Sequence, residues 1–157
     1  MITAWRLDKE KRAMEAFTGE GGRLVSGRWH HQGIPVVYVS ESLALSVLEK
    51  FVHLGFESSH IKYVYFKIEI PDRVSITILK TADLPIDWTA EPPHDSTKDI
   101  GTNWAKESST AVLRVPSVLV PSSWNYLLNP SHNDFKKINI SEPIPFVFDA
   151  RMWKIPF

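Results

Sequence analysis

An arginine, a tyrosine and a glutamate, Arg28, Tyr38 and Glu49, stand close together in "GRWHHQGIPVVYVSESLALSVLEK". Each residue type has a chemistry of its own. A guanidinium is a planar fork of donors that can grip phosphate oxygens in pairs. A phenol ring is a platform for another flat ring. A carboxylate stabilises a cation developing at a sugar carbon, as in glycosidases. Taken singly, each also has a plainer use: a loop arginine in a surface ion pair, a half-buried strand residue, a solvated helix carboxylate. The chemistry requires all of them to face one hollow.

The elements around them decide that. "IPVVYVS" (34–40) is β-branched and aromatic, the composition of a buried strand, and alternation puts Tyr38 on the same side as Val36 and Ser40. Ser40 stands where an N-cap belongs, with Glu41 in the first turn. Apolar residues at 43, 44, 47, 48 and 51 predict one helical face, with Glu49 at its edge and Gly55 ending the helix. Further strands are predicted at 2–7, 62–71, 75–79 and 110–121, with a last one in "EPIPFVFDARMW". A long loop over 82–110 ends in a helix around "IGTNWAKE". The mixture predicts an α+β fold, strand-dominated, with few short helices.

Composition narrows the function. The chain has 157 residues, enough for one domain with a real core, and 18 basic against 18 acidic residues leave it neutral. Nucleic-acid binders carry a basic excess, so direct binding of nucleic acid is not expected. No cysteine is present, which excludes disulfides, thiolate zinc sites and a cysteine nucleophile. No apolar run is long enough to span a bilayer and no signal peptide is visible, so a cytoplasmic protein is expected. His30 and His31 are neighbours that point apart in extended chain, and no HExxH occurs, so no metal site is expected. "GEGG" (19–22) lacks the lysine of a phosphate loop and reads as a mobile loop beside a cleft. A ribonuclease using His30 or His132 and a non-enzymatic module with an aromatic docking face remain as alternatives.

The combination of motifs resembles a known family. "WR" (5–6), "GGRLVSGRW" (21–29), "GIPVVYVSESLALSVLE" (33–49), "VPSVLVPSSWNYLLNPSH" (116–132) and "FDARMW" (148–153) occur in the order seen in the RES domain. The resemblance spans nearly the whole chain. It implies a single compact domain over 1–157, similar to ADP-ribosyltransferases, on a central mixed or antiparallel sheet. The implied activity is that of a bacterial toxin that cleaves NAD⁺ at the nicotinamide–ribose bond, as a glycohydrolase or a phosphorylase, and so arrests growth. Transfer of ADP-ribose to a protein is the alternative. NAD⁺ is then the substrate, with no separate cofactor. The implied partner is an Xre-like antitoxin that blocks the cleft, in a complex that is commonly multimeric. By the same resemblance Glu49, Arg28 and Tyr38 are the catalytic residues. Arg28, Tyr38, Ser117, Arg6 and Asn125 are the substrate-binding ones.

Overall fold

Val, Ile, Tyr and Phe dominate the segments that become strands, and period-2 alternation sets which side of the sheet each side chain takes. The computed structural model describes residues 1–154; residues 155–157 of the expected domain span lie outside them. Eight strands, β1 (Ile2–Lys9), β2 (Val37–Ser40), β3 (Tyr63–Ile70), β4 (Ile76–Ile78), β5 (Val112–Pro116), β6 (Trp124–Leu128), β7 (Asn139–Ile140) and β8 (Ile144–Phe146), form one sheet. Its order is β4-β5-β6-β2-β1-β3-β7, with β8 also on β3. Only β4 and β5 run parallel, so the sheet is mixed. The helices are α1 (Glu20–Leu24), α2 (Leu43–Phe51) and α3 (Asp95–Glu107). The single-domain α+β fold is as expected.

The sheet is nearly two sheets. β1 pairs with β3 over eight residues, but with β2 only through Trp5 opposite Ser40. Side chains hold the seam instead. The Leu7 amide donates to the Ser46 hydroxyl of α2 (3.0 Å), and Arg6 Nη1 donates to the Tyr38 carbonyl (2.9 Å). Backbone groups that a ladder would satisfy are thus satisfied from outside it, as buried polar groups must be.

One face of the sheet is a continuous core of Ala4, Val37, Val39, Phe66, Ile68, Val112 and Leu128. The other face carries separate clusters. Trp29, Leu113, Val115 and Leu127 pack with Trp104 of α3, while Leu7, Tyr63 and Phe148 pack with Phe51 of α2. Between them lies a polar strip along the ends of β2 and β6.

Several elements depart from the sequence prediction. The N-cap of α2 is Ser42, whose side chain accepts from the Leu45 amide (3.1 Å), because Ser40 is still in β2 and bonds elsewhere. α2 ends at Phe51, short of Gly55. Its phase also differs: Leu45 and Ser46 are buried, whereas Ala44 and Leu48 face solvent. Glu49, four residues after Leu45, is therefore on the inward side rather than at an edge. The "GEGG" segment is not a loose loop. It leads into α1, and Gly22 is buried so tightly that a Cβ would stand 2.6 Å from the Ile34 carbonyl oxygen. α3 begins at Asp95, earlier than predicted, and β6 was not predicted as a strand at all.

Candidate active site

Glu49 points from α2 across the seam to the β5–β6 half of the sheet. Its Oε1 accepts the Ser117 hydroxyl at 2.7 Å and the Asn125 Nδ2 amide at 2.7 Å. Asn125 in turn accepts the Ser40 hydroxyl at its Oδ1 (2.7 Å), so a directed chain runs from Ser40 through Asn125 to Glu49. A carboxylate only accepts here, which fixes Nδ2 as the side of the amide facing Glu49. Ser117, Asn125 and Ser40 are all buried, whereas Glu49 is half-buried. Among the described residues, Glu49 Oε2 has no hydrogen-bond partner. One oxygen is anchored and the other is free for a ligand.

The Ser117 hydroxyl is fully used. It donates to Glu49 and accepts from the Leu119 and Val120 amides, each at 3.2 Å. In this arrangement Ser117 and Asn125 orient Glu49: the one Ser117 proton is spent there, and Asn125 Nδ2 uses one of its two N–H groups.

Tyr38 and Ser40 share one side of β2, so Tyr38 continues the strip, with its ring packed against the Trp29 cluster. Its hydroxyl accepts from the Trp29 amide (3.2 Å) and meets His30 Nδ1 at 2.7 Å. Burial drives the phenol pKa far above its ordinary value, so it stays protonated. Gly27 is required here, because a Cβ would stand 2.7 Å from the Tyr38 hydroxyl. Gly33 instead has φ +99, a turn conformation that favours glycine.

Arg28 is near enough for its charge to act on Tyr38, but its bonds go to the loop before α3. Nη1 donates to the Trp88 carbonyl (2.9 Å) and the Ala90 carbonyl (2.7 Å), and Nη2 pairs with Glu91 (3.0 Å). Trp88 stacks on Trp29, with ring centroids 6.3 Å apart, and this pins the loop to the Arg28 segment. Sequence reasoning missed this loop, whose link to Arg28 spans some sixty positions.

Arg6 lies on the opposite side of the sheet from Tyr38, since its neighbour Trp5 pairs with Ser40. It bonds Asp8 (2.9 Å) as well as the Tyr38 carbonyl, and Lys50 approaches Asp8 at 3.7 Å. Burial pulls both Arg6 and Lys50 below their ordinary pKa, while Asp8 pulls them back up. Arg6 thus braces the strand that carries Tyr38. The structure joins Glu49, Ser117 and Asn125 directly and puts Tyr38 on the same strip. Arg28 stands beside Tyr38 with three of its five donors engaged, and Arg6 lies on the opposite side of the sheet.

The histidines are used locally. His30 is buried, and His31 pairs with Asp99 (2.6 Å). His132 Nδ1 accepts from the Asp134 amide (3.0 Å). Among the described residues no group of His, Asp and Glu converges as a metal cluster, and no helix is long and apolar enough to cross a membrane. Two shallow cavities, about 150 Å³ beside Phe51 and Trp153 and about 140 Å³ beside Pro35 and Lys106, do not have Glu49 in their lining.

A mixed sheet with this strand order and few helices is an α+β fold that has been seen before. A chain of the M. tuberculosis MbcT–MbcA toxin–antitoxin complex has this fold, with a TM-score of 0.72 over 93% of this chain and 84% of that one. Identity there is 16%, so the likeness is one of fold alone. Sequence gives the family: residues 3–149 match the RES domain, and the chain belongs to that family. Toxin Res of Photorhabdus laumondii is 40% identical, covering 96% of both chains. Toxin Res of Yersinia enterocolitica is 36% identical over 94% of this chain and 97% of that one. The Prs ADP-ribosylating toxin of a Sphingobium species is 37% identical over 94% of each.

Proposed function

We propose that this chain is a cytoplasmic toxin of a toxin–antitoxin pair that cleaves NAD⁺ at the nicotinamide–ribose bond. The observation that carries this reading is the Glu49 carboxylate, fixed through Oε1 by Ser117 and Asn125 with Oε2 left free. Departure of nicotinamide leaves an oxocarbenium-like cation at the ribose, and a pre-oriented anion stabilises it without reorganising. Tyr38 provides an aromatic face on the same strip. Arg28 provides the fork for the pyrophosphate, once the Glu91 carboxylate yields to phosphate oxygens. The names of the relatives support toxicity, and the neighbour's complex supports an antitoxin, here of Xre-like type, as partner.

The acceptor of ADP-ribose is water or phosphate in the first reading. Transfer to a protein is the second, favoured by the name of the Sphingobium relative. The test is incubation of the purified chain with NAD⁺, with and without inorganic phosphate, followed by mass spectrometry. Free nicotinamide with ADP-ribose or its 1″-phosphate is the expected result. Intact NAD⁺ with active relatives run alongside overturns the reading.

A further inference from the structure

His30 is 2% exposed, yet both of its ring nitrogens are bonded. Nε2 faces the Val25 carbonyl at 2.9 Å and the Gly22 carbonyl at 3.2 Å. Carbonyl oxygens only accept, so Nε2 carries the proton. A neutral imidazole has one such proton, which leaves Nδ1 bare and able only to accept. Its partner at 2.7 Å is the Tyr38 hydroxyl. The phenol proton therefore points to His30, and the phenol oxygen accepts the Trp29 amide. The loop is folded round this pair: the Gly27 amide donates to the His30 carbonyl (3.1 Å), and a Cβ on Gly27 would stand 3.1 Å from Nδ1.

We infer that His30 is a positioning residue for the proposed NAD⁺ site, holding Tyr38 so that its proton is withheld from substrate and its ring alone is offered. The inference rests on the NAD⁺ reading for its consequence, but not for its geometry. Burial holds His30 below the ordinary histidine pKa; the bonds to the Val25 and Gly22 carbonyls pull it back up, and the nearby His31 and Lys98 add to the lowering. His31 is paired with Asp99, and Lys98 reaches Ser26 (3.4 Å), so no carboxylate bonds His30 itself to favour its charged form. Arg28 adds a further positive charge on the Tyr38 side. The neutral tautomer is the one this surrounding selects.

The first test needs no variant. Long-range proton–nitrogen NMR of the full chain at neutral pH should show His30 protonated at Nε2 and bare at Nδ1. An Nδ1–H or doubly protonated ring overturns the inference, whether or not NAD⁺ is consumed. The second test is a cycle of kinetics. His30→Leu should raise KM for NAD⁺ about ten-fold, the effect of losing one hydrogen bond that orders a contact. His30→Asn, whose Oδ1 can stand near the Nδ1 position, should restore most of that loss. In a Tyr38→Phe background His30→Leu should add nothing, because the hydroxyl through which His30 acts is gone. An equal rise in both backgrounds makes His30 merely structural and sinks the proposal.

Discussion

The Glu49 anchor and the Arg28 clasp are opposite designs within one site. Glu49 is gripped by buried side chains, Ser117 and Asn125, that belong to the ends of adjacent strands. Arg28 is gripped by carbonyls of a loop and by Glu91, whose side chain is 78% exposed. The first set cannot leave without opening the core. The second can exchange for a ligand without disturbing a strand. On the proposed NAD⁺ reading, the contrast means that the charge-stabilising end of the site is ready before substrate arrives, whereas the phosphate end is held in reserve by partners that compete with phosphate.

The largest break comes at the ready end. Glu49→Gln keeps shape and removes charge, and Glu49→Ala removes both. Each should lower kcat for NAD⁺ cleavage by about 100- to 1,000-fold with the melting temperature nearly kept, the scale of losing one preorganised electrostatic group. Release of nicotinamide at near wild-type rate by either folded variant would falsify the role of Glu49.

At the reserve end, Arg28→Ala should act chiefly on KM. Loss of charge-assisted hydrogen bonds to phosphate is worth about 10- to 100-fold in binding. Calorimetric titration of NAD⁺ into the Glu49→Gln protein, with and without Arg28→Ala, measures this with turnover suppressed. An unchanged isotherm removes Arg28 from the phosphate site. Asn125→Ala should fall between these ends and the background, lowering kcat about ten-fold with a smaller change in KM, because Glu49 keeps its charge but loses one orienting donor. Ser117→Ala should do the same, and the double variant should not exceed the Glu49→Ala defect, since both act through one oxygen. A pure KM effect in either single variant would instead place that side chain on the substrate.

The two ends were unequally legible in the sequence. The β2 strand, Tyr38 on it and Glu49 on the helix beyond were readable because composition and period are local signals. The phase of α2 was misread because an inward Ser46 and Glu49 break the apolar pattern, and their reason, bonds to Leu7, Ser117 and Asn125, is long-range. Strand β6 went unrecognised because "WNYLL" buries residues on both sides and shows no alternation, although it supplies Asn125. Nothing local signals that Arg28 would meet residues 88–91. Resemblance to the RES family named the residues. It did not reveal that Ser117 and Asn125 both donate to Glu49, nor that the Tyr38 hydroxyl meets His30 Nδ1.

Glu91 gives the finest test of the contrast. An exposed ion pair contributes about 0.2–1 kcal/mol, so its competition with phosphate is small but of known sign. Glu91→Gln leaves the Trp88 and Ala90 carbonyls on Arg28 Nη1 and withdraws only the charge facing Nη2. KM for NAD⁺ should fall about two-fold, kcat should hold, and the difference should shrink in high salt, where the wild-type pair is already screened. Had Glu91 been part of the binding surface, the same substitution would raise KM, and the loop would have to be counted with the ready end of the site rather than the reserve.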